Sequence, residues 1–218
     1  MKSNKEKEEI KAVIFDVGGV LQIGRYSIFP FRRHKSLSVH QFMAKSFNIS
    51  LDQWFDSIDA PYANAIEGKI TKKEVLSIMS KNLSTSPEYL ERLFIRAYHK
   101  YFKQNKKLYK IAFKLKEKGY KIAILSDQWY VGKEALIDSK LVSKFHEVII
   151  SCDVGMRKPN PKIYKITSKK LKVKPIQTIF IDNQKWNILP AKKLGMKTIL
   201  FINNKQVIRE LINFGVKI

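Results

Sequence analysis

A chain of 218 residues, 44% of them hydrophobic, can bury a substantial core and fits one domain, or one domain carrying a smaller insert. Its single cysteine, Cys152, excludes an internal disulfide and a cysteine-based zinc site. The 42 Lys and Arg against 19 Asp and Glu give a formal charge of +23, which attracts phosphorylated anions in general. The lysines are nevertheless spread along the whole chain, with no stacking-aromatic motif, zinc finger or recognition helix, so nucleic acid is not the expected partner.

The first ten residues, MKSNKEKEEI, are charged, and the apolar stretch after them is broken by Asp16 without a small-residue cleavage site. Neither a signal peptide nor a membrane span is expected, and the expected compartment is cytoplasmic. The run AVIF (12–15) stops on Asp16 and turns through Gly18 and Gly19. A short apolar run without alternation suits a parallel strand buried on both faces. From residue 24 to 103 the pattern changes, and the gap is several times what one βα crossover needs, so an insert is expected. Capping-box spacings at Ser38/Gln41, Ser50/Gln53 and Thr71/Glu74, with Ser86 before Pro87, predict that the insert is helical. Its aromatics Phe42, Phe47, Trp54, Phe55 and Tyr62 are expected to form mainly its own core. The densest lysine run, 103–121, keeps Leu108, Ile111, Ala112 and Leu115 at helical spacing and places its lysines on the solvated face.

Four more apolar runs follow: IAIL (122–125) before Ser126, VII (148–150) before Ser151, IFI (179–181) before Asp182, and TILFI (198–202) before Asn203. Helical patterns lie between them, with Gly119 and Gly195 as C′ residues and Asn160-Pro161 as an N-cap with proline in the first turn. The expected fold is α/β, a Rossmann-like open parallel sheet with an inserted all-helical segment. In such a sheet the carboxyl ends of neighbouring strands form the ligand crevice, so Asp16, Ser126 and Asp182 should converge there. Lys158 falls just before a helix, and Cys152 reads as a small buried residue.

Carboxylates are hard oxygen ligands suited to Mg²⁺, while a lysine and a hydroxyl hold phosphate oxygens. The ordered set points to phosphoryl transfer. On these residues the chain resembles the haloacid-dehalogenase superfamily of aspartate-nucleophile hydrolases, with four motifs in order: FDVGGVL (15–21), ILSDQ (124–128), GMRKPNPKIY (155–164) and IFIDNQKWNI (179–188). It is most similar to small-molecule and sugar-phosphate phosphatases whose first motif reads Asp-x-Gly-Asn/Gly-Val. The resemblance implies an α/β core at 1–23 and 104–218 and a helical cap at 24–103. It implies a small phosphorylated substrate and Mg²⁺ as cofactor.

Carried onto these positions, Asp16 would be the nucleophile, and Asp16, Asp182 and the Gly18 carbonyl would hold Mg²⁺, with Asn183 as a supporting group. Ser126, Asp127, Lys158, Gly18 and Gly19 would bind the phosphoryl group, Lys158 also neutralising charge in catalysis. Two departures stand out. The second aspartate that most of these phosphatases carry two residues after the nucleophile is Gly18, which removes the leaving group's proton donor. The usual acid after Asp182 is Asn183, which removes a charge from the metal's surroundings. Asp127 stands where Asn is frequent, either compensating that charge or capping the following helix. Two alternatives remain open on the sequence: a dehalogenase-like hydrolase that needs no metal, and a degenerate member that binds a phosphorylated ligand or a protein without turnover. Arg32 and Arg33 are candidates for a second anionic group of the substrate, or form a solvated basic turn.

Overall fold

The structure, a computed structural model, describes residues 9–24 and 38–218, so Arg32 and Arg33 lie outside the described residues. The chain enters through β1 (Ala12–Phe15) and, after a turn, β2 (Gln22–Gly24). Four helices follow, α1 (Val39–Ser46), α2 (Leu51–Ile66), α3 (Lys72–Asn82) and α4 (Pro87–Tyr101), and β3 (Phe102–Gln104) leads back. The remainder alternates: α5 (Lys106–Glu117), β4 (Lys121–Ser126), α6 (Tyr130–Leu136), α7 (Ser139–Val142), β5 (Glu147–Ile150), α8 (Ser151–Val154), α9 (Pro161–Lys170), β6 (Thr178–Asp182), α10 (Lys185–Lys193), β7 (Lys197–Leu200) and α11 (Asn204–Asn213).

Five strands form one parallel sheet in the order β5-β4-β1-β6-β7. With β1 in the middle and helices on both faces, every residue of AVIF is buried, which is why the run shows no alternation. The pleat still sorts its side chains. Val13 and Phe15 join Ile122, Ile124, Ile179 and Ile181 against Leu108, Ala112 and Leu115 of α5 and Val207 and Leu211 of α11. Ala12 and Ile14 join Ala123, Leu125 and Phe180 on the other face, against Ile163 and Tyr164 of α9 and Ala191 of α10. From β1 the chain builds outward through β4 and β5, then crosses to β6 and β7 on the opposite side. The crevice of such a sheet opens where the order reverses, beside the carboxyl end of β1.

Ser38, Ser50 and Thr71 each close a capping box, and Ser86 caps α4 with proline in the first turn. The four helices pack on a cluster containing Met43, Trp54, Ile58, Val75, Met79, Leu90 and Phe94, with Phe42, Phe47, Phe55 and Tyr62 partly buried against it. Two residues of the second sheet crossover, Trp129 and Val131, belong to the same cluster. Trp129 is fully buried, its Nε1 donating to Tyr98 Oη at 2.9 Å and its ring meeting Phe94 edge-on at 4.9 Å.

Two features depart from the expectations. A two-stranded antiparallel ribbon, β2 with β3, closes the base of the helical segment; three residues per strand are too few to carry a periodic signal. The run TILFI ends as a strand at Leu200, because the chain turns for Asn203 to accept the Gln206 N–H and cap α11, leaving Ile202 61% exposed. Among the described residues no helix is long and apolar enough to cross a membrane.

Candidate active site

Asp16 follows β1 directly. Its N–H donates to the Ile181 carbonyl at 2.9 Å, so the residue is still tied to the sheet edge while its side chain has passed the last strand residue. The turn after it is drawn tight by Gln22 N–H to Val17 C=O at 2.8 Å and Gly19 N–H to Gln22 C=O at 2.7 Å. The two glycines of that turn have different reasons to be there. Gly19 has φ +84°, and a Cβ on it would stand 2.3 Å from Asn183 Nδ2. Gly18 is not among the described glycines with positive φ, and a Cβ there would have Gln128 Nε2 at 4.0 Å as its nearest neighbour. The Gly19 amide, expected to face phosphate, donates to the Gln22 carbonyl in this structure.

Lys158 arrives from the segment before α9 and is 2% exposed. Its Nζ donates to Asp16 Oδ1 at 2.9 Å, to Asp182 Oδ2 at 2.7 Å and to the Leu125 carbonyl at 3.3 Å. Three strand ends therefore meet on one ammonium. Asp182 is fully buried; Oδ1 accepts the Gln184 N–H at 2.7 Å and Oδ2 accepts Asn187 Nδ2 at 3.1 Å. Tyr164 Oη donates to the Asn187 carbonyl at 2.8 Å and so ties the start of α10 to α9.

Ser126, 1% exposed at the end of β4, accepts from Gln128 Nε2 at 3.3 Å. Asp127 does not cap α6, whose N-cap is Trp129 without a side-chain bond. Instead Asp127 Oδ1 accepts the Lys158 N–H at 3.0 Å, with Arg157 Nε 3.8 Å from Oδ2, so it fixes the backbone that carries the lysine. Gln128 and Asn187 were not singled out in the sequence, and Ser151 was noted only as the end of a strand. Asn187 is brought to Asp182 by the first turn of α10, a spacing readable only once the helix start is known, and Gln128 reads as loop.

Burial raises the Asp16 carboxyl; Lys158 opposes this and Asp182 adds to it, leaving the group pushed up to about 7. Burial by itself lowers Lys158, but Asp16, Asp182 and Asp127 more than offset it and hold the ammonium well above the usual lysine range. Two buried carboxylates sharing one ammonium leave uncompensated negative charge, which a further cation would neutralise. Among the described residues no cluster of three or more His, Cys, Asp or Glu is gathered for a metal. The oxygens available are of the right kind for Mg²⁺ all the same. Asn183 follows Asp182 in the chain; its Oδ1 is buried with no hydrogen-bond partner, and its side chain lies against Gly19 of the turn that follows Asp16. Carboxylate, amide and carbonyl oxygens are hard donors that suit the ion, and the orphaned amide oxygen is the observation in its favour.

A model of haloacid dehalogenase-like hydrolases matches residues 39–201. Bifunctional epoxide hydrolase 2 of Sus scrofa is 28% identical over 93% of this chain and 38% of its own length. Glyceraldehyde 3-phosphate phosphatase of Pyrococcus furiosus is 36% identical over 42% of this chain and 39% of its own. The chain thus spans about two fifths of the length of these curated relatives. A HAD family enzyme from Bacteroides thetaiotaomicron, solved in complex with magnesium and inorganic phosphate, superposes with a TM-score of 0.68 over 87% of this chain and 93% of its own at 19% identity, a likeness of fold. Since the family model spans most of the sheet crossovers and the whole helical segment from α1 onward, the chain belongs to the haloacid dehalogenase-like hydrolase family.

Proposed function

We propose that the chain is a Mg²⁺-dependent phosphatase of small phosphorylated metabolites, sugar phosphates included, acting in the cytosol through an aspartyl phosphate on Asp16. The observation that carries this reading is the buried Lys158 ammonium held between Asp16 and Asp182, with Ser126 at the adjacent strand end. The free, buried thiol of Cys152 is consistent with that reducing compartment. The helical segment serves as the cap that shapes the substrate pocket. It is seated on the core through Trp129 and through Gly68, which has φ +65° and where a Cβ would stand 2.3 Å from the Cys152 carbonyl oxygen.

In the reaction, one Asp16 oxygen attacks phosphorus, the bond to the departing oxygen breaks, and water hydrolyses the aspartyl phosphate in a second step. Lys158 holds Asp16 Oδ1 and thereby orients the other oxygen for attack, and its charge opposes the negative charge gathering on the phosphoryl group. The Ser126 hydroxyl accepts from Gln128, so its own proton is free to be donated to a phosphoryl oxygen. Asp127 keeps the lysine in place through its backbone. Asp16, Asp182, Asn183 Oδ1 and the Gly18 carbonyl would hold Mg²⁺, which when bound supplies positive charge to the phosphoryl oxygens. Gly18 provides no acid, so the departing oxygen leaves with its electron pair and takes a proton from water.

The test is a panel of phosphorylated metabolites with magnesium, run on the wild type beside Asp16→Asn and again in EDTA. Turnover that disappears in both is expected. Turnover surviving in Asp16→Asn overturns the mechanism, and undiminished turnover in EDTA favours the metal-free dehalogenase-like alternative.

A further inference from the structure

Gln128 is more firmly seated than a loop residue needs to be. Its backbone N–H donates to Ser151 Oγ at 3.0 Å, and the same hydroxyl donates back to its carbonyl at 3.2 Å. Its side chain lies over Gly132, where a Cβ would meet Gln128 Oε1 at 2.8 Å and the Trp129 ring at 3.0 Å, so glycine at 132 makes the room. The residue is 8% exposed, and its Nε2 gives one hydrogen to Ser126 Oγ at 3.3 Å. A carboxamide nitrogen carries two hydrogens. For the second no protein acceptor is seen among the described residues, on the side of the site where Gly18 leaves open space and Nε2 is the first atom a Cβ would encounter.

The geometry points to Gln128 as a further catalytic residue, its free N–H donating to the phosphoryl group that Asp16 attacks, through the space left by glycine at 18. This rests on the phosphatase reading above. Three features of the site then act together. Ser151 fixes the Gln128 backbone while Gly132 makes room for its carboxamide, the bond to Ser126 aims that hydroxyl's proton away from Gln128, and the second N–H adds a neutral donor beside the Lys158 charge. A preorganised neutral donor of this kind needs no reorientation as phosphoryl charge shifts. Because a carboxamide has no proton to release, the departing oxygen is still protonated by water.

The test uses Gln128→Met, which keeps length and volume and removes the donor, with thermal melting as the check on folding. Binding of inorganic phosphate in the presence of magnesium is measured by calorimetry, and kcat/KM is measured on aryl and alkyl phosphates. The expected result is weaker phosphate binding and a loss of kcat/KM on the order of 10²-fold that is similar for both ester types. In a Ser126→Ala background, Gln128→Met should cause a further loss; no further loss would mean that Gln128 acts only through Ser126, and would overturn the proposal. Phosphate binding and kcat/KM within about threefold of wild type would overturn it as well, that margin being about 0.65 kcal/mol at roughly 1.36 kcal/mol per tenfold. A loss confined to alkyl esters with phosphate binding intact would place the donor on the departing oxygen instead and overturn the phosphoryl assignment. If Gln128→Met does not fold, Gln128→Glu, which keeps the shape and replaces the donor by a carboxylate oxygen, should abolish phosphate binding, and retained binding would refute the donor role. A wild type that hydrolyses no ester yet binds phosphate in a Gln128-dependent manner would sink the phosphatase reading and leave this donor standing.

Discussion

The carboxyl edge of the sheet, where the candidate site lies, and the helical segment are held together by different means. At the edge, Asp16, Ser126, Gln128, Lys158 and Asp182 are all at most 8% exposed, and the two carboxylate partners of Lys158 lie 142 and 24 residues away in the chain. In the helical segment Ser80 is the one polar residue counted as buried among the described residues, and the capping boxes join residues three apart. The first region depends on a balance among buried charges, the second on apolar burial plus local hydrogen bonds. Substitutions at the edge should therefore reach catalysis and stability together, whereas those at the helix caps of the helical segment should change stability alone.

The largest effect is expected at Asp16. Asp16→Asn should lower turnover by at least about 10⁴-fold, since an amide is no nucleophile, while the fold survives. The same variant sharpens the electrostatic side of the comparison. Asp16 has its folded pKa at about 7 against an ordinary 3.8, so between those values the folded chain holds a proton that the unfolded chain lacks. Wild-type stability in EDTA should then gain on that of Asp16→Asn as the pH falls through 7 toward 4, and melting curves of both proteins across that range check the sign. A wild type that instead loses stability relative to Asp16→Asn on acidification would mean that Asp16 is held ionised by Lys158.

Next comes Lys158→Met, which strands two buried carboxylates. It should cost about 3–5 kcal/mol of stability, read by urea denaturation, and turnover should fall with it. A melting point unchanged by this substitution would show that the edge does not depend on its buried ion cluster.

The two glycines offer a smaller and cleaner contrast. Gly19→Ala should lose about 1–2 kcal/mol from its left-handed backbone alone, with the clash against Asn183 added. Gly18→Ala, with an ordinary backbone and open space, should be neutral or gain up to about 1 kcal/mol. Equal losses at both positions would mean that the turn tolerates no side chain at all. Smallest is Thr71→Ala in the helical segment, expected to cost about 1 kcal/mol of stability through the lost cap of α3 with kcat/KM unchanged; a change in kcat/KM would mean that the two regions are coupled beyond Trp129.

The strands and the four capped helices were legible in the sequence because each is declared by neighbouring residues: an apolar run for β1, β4, β5 and β6, and a Ser or Thr three residues before a Gln or Glu for α1 to α3. The ribbon of β2 and β3 was not, because its pairing joins Gln22 to Gln104 across the entire helical segment. The tight Gly19 turn was legible as a turn, but the hydrogen bond of its amide to the Gln22 carbonyl was not.

From sequence alone came the placement of Asp16, Ser126 and Asp182 at strand ends and of Lys158 ahead of a helix, because parallel strands buried on both faces announce where they stop. Which lone pairs and hydrogens those residues still have to give was decided only by the tertiary structure. Lys158 is divided among Asp16, Asp182 and the Leu125 carbonyl, Asp127 is turned to the Lys158 backbone, and Gln128 is set against Ser126. These allocations depend on distances of a few tenths of an ångström between segments that share no local sequence signal, and hydrogen bonding and desolvation are sensitive on that scale.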